Sequence, residues 1–375
     1  VSIFSFFSQN SSMGRGNKHI FIGMDGTQNA AYKDTFATNV YHLGAAARCV
    51  DHNMRRQLIF YFPGVGTQSS NQYLSNIFGA TGEGIELFIL EAYINLVLNY
   101  NEGDRIYIFG FSRGAVAARA LTGLISWSGL VKPDSVWLID DAWKHFIEDS
   151  EENNFKLRRT NHIWSNTKID FLGLWDTVPG PYKKEELERR FRFKNYRMDK
   201  SVQNGVHILS IDETRRDFLP LLWDVQDDDP VKPIQIWMPG VHSDIGGGYL
   251  KSTLANISLM AMIDIFQTTF PDVAFDNTYI YEHVVQPAIE DSIAINDEWK
   301  SYKVPLKFKA TRELNEHFLF HPIMRKMYKS KHSIRGMDIE YDPFKSRSLF
   351  KGGIANLKLL TFDDNSLWKK TPFCN

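Results

Sequence analysis

Cysteine is nearly absent: the 375-residue chain has two, Cys49 and Cys374, close to opposite ends. Neither has a neighbour at the spacing that builds a zinc site or a disulfide framework, so both read as free thiols. Charge of one sign is also missing. Lys and Arg number 43 against 44 Asp and Glu, a net of −1, so no overall field draws the chain to nucleic acid or an anionic membrane. No run approaches the ~20 apolar residues needed to span a bilayer, and there is no internal repeat or low-complexity tract. The opening VSIFSFFSQNSS lacks the basic leading segment and long apolar core of a secretory signal. Residues 1–17 therefore read as a leader or disordered segment. The expectation is a protein cytoplasmic as made, not transmembrane, and exported, if at all, by a route without a cleaved signal.

What is plentiful is apolar side chain. With 43% hydrophobic residues and 14% aromatic, the chain can bury a large core. Five apolar runs rich in β-formers each end in a glycine-containing turn: HIFIGMDGT from His19, QLIFYFPGVGT from Gln57, RIYIFGFSRG from Arg105, KIDFLGLWDTVPG from Lys168 and PIQIWMPGVHSDIGGGY from Pro233. Continuous apolarity, rather than strict alternation, marks strands buried on both faces of a parallel sheet. Helical patterns lie between them: NVYHLGAAARCV, EGIELFILEAYINLVLNY, AVAARALTGLISWSGL and, after the fifth, SLMAMIDIFQTTF. Strand alternating with helix implies an α/β, doubly wound, mostly parallel sheet.

The predicted organisation is a catalytic domain over 18–277, interrupted at about 133–166 and 181–230, then a C-terminal extension, 278–375, packed on it. The two interruptions read either as surface decoration or as helical insertions forming a lid. Functional groups of such sheets collect at the carboxyl ends of the strands, which here carry Asp25, Gly64, Ser112, Asp176 and His242.

Ser112 lies in Gly110-Phe111-Ser112-Arg113-Gly114, between a buried strand and an Ala-rich helix. A serine hydroxyl is a weak nucleophile that needs a base and an exposed position. The strand–Gly-x-Ser-x-Gly–helix turn supplies the exposure, and the helix start aims N–H groups at the site. His242 is the candidate base because it follows the last strand directly and precedes Ser243-Asp244 and a glycine triplet. A turn residue bonded to its own loop is the alternative, and His207, in NGVHILSIDETRRDF, is the runner-up base, though its setting reads more like a buried strand or helix position. Asp176, ending the fourth run, is the candidate to orient the imidazole; a helix cap or a turn with Thr177 is its alternative. The order Ser112, Asp176, His242 is the one found in α/β-hydrolases. Backbone N–H groups of Arg113 and Gly26 are the candidate oxyanion donors, with Asp25, Thr27 and Asp244 as supporting loop residues. Trp137, Trp143, Phe146 and Trp223 are candidates for an acyl-chain pocket, with ordinary core as their alternative.

GMDGTQN resembles the phosphate-transfer loop of haloacid-dehalogenase phosphatases, but Gly23 stands where that loop has its nucleophilic aspartate. No cluster around His242-Ser243-Asp244 completes a metal site, and Asp227-Asp228-Asp229 reads as a solvated turn. No metal and no cofactor are expected.

Together, FIGMDGTQN, TNVYHL, YFPGVGT, GFSRGAVAARALTGLI, FLGLWDTV, IDETRRDFLP and WMPGVHSDIGGGY resemble the motif set of the α/β-hydrolase domain found in type VI secretion lipase effectors and in stand-alone bacterial and fungal proteins. The resemblance covers about residues 18–265. It implies a Ser-Asp-His hydrolase, with Ser112, Asp176 and His242 on the matching positions, and for the effector members phospholipase A activity on bacterial membranes. Against the large effectors, the expectation is a stand-alone, catalytic-domain-like chain without their long C-terminal membrane-binding portion. Gly23-Met24 also stands where the first motif commonly has an apolar-Phe pair. The expectation is a serine esterase, a lipase or phospholipase A, with a non-catalytic binding protein or an amide or peptide hydrolase as alternatives. Its expected partners are a lipid or small ester, a membrane surface touched peripherally, no nucleic acid, and an immunity protein if the chain is an effector.

Overall fold

The computed structural model describes residues 17–26, 37–64, 84–148, 150–180, 184–191, 196–290, 292–296, 312–314, 319–344 and 357–374. The five apolar runs form strands β1 (His19–Met24), β2 (Gln57–Phe62), β3 (Arg105–Phe111), β4 (Phe171–Trp175) and β6 (Ile234–Met238). Between the last two lies β5 (Gly205–Ser210), whose six residues are all buried. This corrects the reading of 181–230 as one insertion. The setting of His207 reads as a buried strand or helix position, and the structure makes GVHILS a core strand that divides the stretch in two. The C-terminal portion likewise does more than pack on the domain, because β7 (Leu319–Phe320) and β8 (Lys358–Leu359) prolong the same sheet.

All neighbours are parallel, in the order β8-β7-β6-β5-β4-β3-β1-β2. The winding reverses between β1 and β3, and in open parallel sheets the crevice at such a reversal is where ligands bind.

Alternation along β3 explains the two covering layers. Tyr107, Phe109 and Phe111 face α1 (Asn39–Ala46) and the long helix Thr253–Thr269, in a cluster that includes Phe21, Phe171 and Phe266. Ile106 and Ile108 face the opposite layer, made by α2 (Ile85–Asn99) and α3 (Arg113–Ser128). Along β3, therefore, one face is aromatic and the other aliphatic. Each fully buried side chain of this size contributes about 1.5–3 kcal/mol. Among the described residues no helix is long and apolar enough to cross a membrane.

Helix α3 spans 16 residues, about 24 Å at 1.5 Å per residue. The insertion at 133–166 closes its far end. Ala142 O accepts from Ser128 Oγ (2.9 Å), while Asn154 Nδ2 and Arg158 Nη1 each donate to Trp127 O at 2.8 Å. Carbonyls of a last helical turn have no partner within the helix, so these side chains supply what the helix cannot. Of the two stretches read as a lid, the second brings Phe218 against the His242 ring.

Candidate active site

Ser112 follows β3 directly and has φ 56°, ψ −124°, a backbone conformation that costs a residue with a Cβ of order 1–3 kcal/mol. The sharp turn is possible because its two flanking glycines admit close backbone contact. A Cβ on Gly114 would lie 2.2 Å from Met24 O and 2.4 Å from Asp25 O, and one on Gly110 would lie 2.7 Å from Ala115 Cα. The start of α3 is thereby pressed against the end of β1.

Three side chains from three strand ends meet here. Ser112 Oγ is 2.8 Å from His242 Nε2, and His242 Nδ1 is 2.6 Å from Asp176 Oδ2. Burial would raise the Asp176 carboxyl, but the Arg312 charge and hydrogen bonds from His242 and Arg312 outweigh it and hold the group well below the usual carboxylate range. An ionised carboxylate only accepts, so Nδ1 carries the proton and Nε2 is left to accept from the serine hydroxyl. The imidazole ring lies between Phe111 and Phe218, at centroid distances of 4.7 and 5.0 Å.

The His242 loop is anchored by two acids. Glu213 Oε2 accepts the His242 backbone N–H at 3.2 Å and is itself paired with Arg215. Asp244 accepts from Val241 N (3.0 Å) and from Asn296 N and Nδ2 (3.1 and 2.6 Å), which closes the short helix His242–Gly246 at its start. Asp25 is buried and accepts from Thr38 Oγ1 and Tyr61 Oη, both at 2.6 Å. Gly26 N–H, expected to face an oxyanion, donates to Asp25 Oδ1 at 2.7 Å. Arg113 N–H sits in the first turn of α3, directly after Ser112. Thr27 lies outside the described residues.

His207, the other candidate base, is buried on β5, which pushes its pKa down to about 3. Its Nε2 accepts Thr177 N–H at 3.0 Å, and its ring packs against Trp223. It shapes the turn after Asp176, while the imidazole that meets Ser112 is that of His242. Trp143, Phe146 and Trp223 pack with the core on the α2–α3 side of the sheet, and Trp137 is 64% exposed. The ordinary alternative to an acyl pocket fits the three core residues. A histidine–carboxylate group, His19, Asp51 and Asp272, stands at the opposite end of the sheet. Arg55 already binds both carboxylates there, so a cation's place is filled by a guanidinium.

The family model for the type VI secretion system phospholipase effector Tle1-like catalytic domain matches residues 18–265. The chain belongs to this family. The uncharacterized protein YEL023C of Saccharomyces cerevisiae is 28% identical, over 56% of this chain and 33% of the yeast protein. Among solved structures, an uncharacterized protein from Pseudomonas aeruginosa is 18% identical with a TM-score of 0.40, covering 73% of this chain and 48% of that one. The Tle1 effector bound to the VgrG spike of the type 6 secretion system is 19% identical with a TM-score of 0.35, covering 66% and 54%. The chain thus spans between a third and about half of the length of these relatives.

Three further residues of the site, Glu213, Ser210 and Arg312, carry no signal of a role in the sequence alone. Glu213 lies in IDETRRDFLP, a motif whose sequence assigns no role to its acid. Ser210 donates to Asp176 through both N–H and Oγ–H, at 3.1 Å each, and is the last residue of β5. Arg312 lies beyond the matched segment, and nothing in its local sequence marks it.

Proposed function

We propose that the chain is a serine hydrolase of carboxylic esters whose substrates are acyl esters of lipids, phospholipids foremost. The observation that carries this reading is the chain of two hydrogen bonds from Ser112 through His242 to Asp176, at the carboxyl edge of the sheet. Membership of a phospholipase effector catalytic-domain family supports the ester and lipid parts.

Ser112 Oγ attacks the ester carbonyl carbon while His242 Nε2 takes its proton. Asp176 holds the imidazole by its Nδ1–H and stabilises the imidazolium that forms. The carbonyl oxygen becomes an oxyanion against Arg113 N–H at the start of α3, where the helix dipole favours negative charge. Gly26 N–H is the second donor once it leaves Asp25 Oδ1. The tetrahedral intermediate collapses as His242 protonates the departing alcohol, leaving an acyl-Ser112. Water, deprotonated by His242, then attacks the acyl carbon, and Ser112 recovers its proton as the acid leaves. Exposed Leu219 and Leu250, 42% and 72% accessible, lie on the two segments flanking His242 and suit a lipid surface.

The test is labelling by a fluorophosphonate together with turnover of p-nitrophenyl esters, phospholipid vesicles and peptides. The expected result is labelling of Ser112 and hydrolysis of esters and phospholipid, with both lost in Ser112→Ala by about 10⁴-fold or more. A wild-type protein that is neither labelled nor active overturns the hydrolase reading, and cleavage of peptides alone overturns the lipase reading.

A further inference from the structure

Arg312 is an arginine with a side chain 1% exposed, drawn from a part of the chain beyond the family match. Its guanidinium faces Asp176 edge-on. Nη1 donates to Oδ1 and Nη2 to Oδ2, the latter at 2.9 Å. The same two nitrogens also donate to the carbonyls of Ser210 (2.8 Å) and Phe218 (2.6 Å). The Asp176 carboxylate therefore receives five hydrogen bonds: two from Arg312, two from Ser210 and one from His242. Four of the five come from fixed donors other than the imidazole. They set the carboxylate plane, and the remaining bond is the one aimed at Nδ1.

A fork of two parallel N–H···O bonds defines a plane, which a lysine ammonium cannot do. An aspartate buried without a counter-charge takes up a proton, and a protonated carboxyl no longer stabilises an imidazolium. The link from Arg312 to Phe218 O adds a second connection, because the Phe218 ring packs edge-on to His242.

We propose that Arg312 is a positioning residue for hydrolysis: it clamps the Asp176 carboxylate in the plane that serves His242 and supplies its standing counter-charge. This rests on the assignment of Ser112, His242 and Asp176 proposed above. Other charged or titratable groups surround the pair. Glu213 receives the His242 N–H and is neutralised by Arg215, and Asp244 on the His242 helix is engaged with Asn296. His207 on β5 is kept neutral by burial, and Arg119 on α3 donates to the Leu221 carbonyl. Among the described residues, Arg312 is the cation that touches the carboxylate.

The test is the rate of fluorophosphonate labelling at Ser112, from about pH 5 to about pH 9, in wild type, Arg312→Met and Arg312→Lys. In Arg312→Met the labelling rate at neutral pH falls about tenfold or more, and the acid limb moves to higher pH by about one unit. The sign follows from charge: with the cation gone, the coupled Asp176–His242 pair holds its inhibitory proton to higher pH, whichever of the two carries it. Arg312→Lys keeps the charge and loses the fork, so its acid limb stays in place while its plateau falls. A folded Arg312→Met with the wild-type rate and acid limb overturns the proposal. Should that variant fail to fold, a wild-type plateau in Arg312→Lys overturns it equally. A wild-type protein with neither labelling nor turnover removes the triad assignment and this proposal with it. Normal wild-type labelling with indifferent Arg312 variants removes this proposal alone.

Discussion

Ser112 and Asp176 hold the same backbone position on neighbouring strands. Each is the first residue past its strand end, where Phe111 of β3 pairs with Trp175 of β4, and each has positive φ, 56° and 38°. They are also bonded through their turns. Ser112 N–H donates to Trp175 O (3.1 Å), and Val178 N–H donates to Ser112 O (3.4 Å). Two unfavourable conformations are thus held side by side by the sheet that creates them, at the place where strain is commonly kept for chemistry.

That strain should be measurable at Ser112. Ser112→Ala and Ser112→Gly both remove the hydroxyl, so their difference isolates the backbone. Glycine reaches positive φ without a Cβ penalty. Ser112→Gly is therefore expected to be more stable than Ser112→Ala by about 1 kcal/mol, read by chemical denaturation, with both inactive. Equal stabilities would show that the turn is unstrained.

Gly114→Ala tests the contact between α3 and β1. Its methyl would fall on two backbone carbonyl oxygens, which no rotamer change can relieve. Overpacking of this kind costs about 3 kcal/mol or more, and the helix must move away from Asp25. Thermal unfolding should show the loss, and esterase activity should fall further than stability alone explains, because Ser112 moves with the helix.

How far the sequence was legible follows from which residues carry local signals. Continuous apolar runs disclose five strands, and the turns after them disclose Asp25, Ser112, Asp176 and, four residues past Met238, His242, because a parallel sheet gathers its strand ends. β5 shows in the sequence only as a buried strand or helix position around His207, because six residues inside a stretch that opens charged are too few to fix a period. β7 and β8 have two residues each, too few for any period to be read. Arg312 could not be found at all. Its role depends on a contact across 136 residues with Asp176, and long-range pairing leaves no trace in spacing.

Leu250 offers a way to separate lipid surfaces from soluble esters. It is the most exposed large apolar residue beside the His242 loop, and burying a leucine side chain in lipid is worth about 2 kcal/mol. Leu250→Asp is expected to lower turnover of phospholipid vesicles by about tenfold or more, leaving hydrolysis of short p-nitrophenyl esters within about twofold. A parallel drop on both substrates would place Leu250 in the site's own architecture and not at a lipid contact.

Asp264, in the long helix Thr253–Thr269, accepts from Leu367 N (2.7 Å) and Trp368 N (3.1 Å) and so pins the C-terminal segment. Burial pushes its carboxyl up to about 6, above the ordinary value near 4. Between about pH 4 and about pH 6 the folded protein therefore binds a proton that the unfolded chain has released, and stability falls as pH rises through this window. The expected cost above it is about 3 kcal/mol. Asp264→Asn removes the slope, so its stability relative to wild type should rise with pH over that interval and then level off. Denaturation curves at several pH values check this, and a difference independent of pH would contradict it.

Asp176→Asn has two consequences that ordinarily go together and here can be parted. The amide can no longer hold the required imidazole tautomer, which costs about 10⁴-fold in kcat. It also leaves the buried Arg312 guanidinium without its counter-charge, and breaking a buried pair from one side costs about 3–5 kcal/mol. Removing the stranded cation as well should return much of that stability. The double variant Asp176→Asn with Arg312→Met is therefore expected to unfold at a higher temperature than Asp176→Asn alone, while its activity stays as low. If the double variant is the less stable of the two, the carbonyls of Ser210 and Phe218 matter more to Arg312 than the carboxylate does, and the pair is held together by its neighbours and not by its charges.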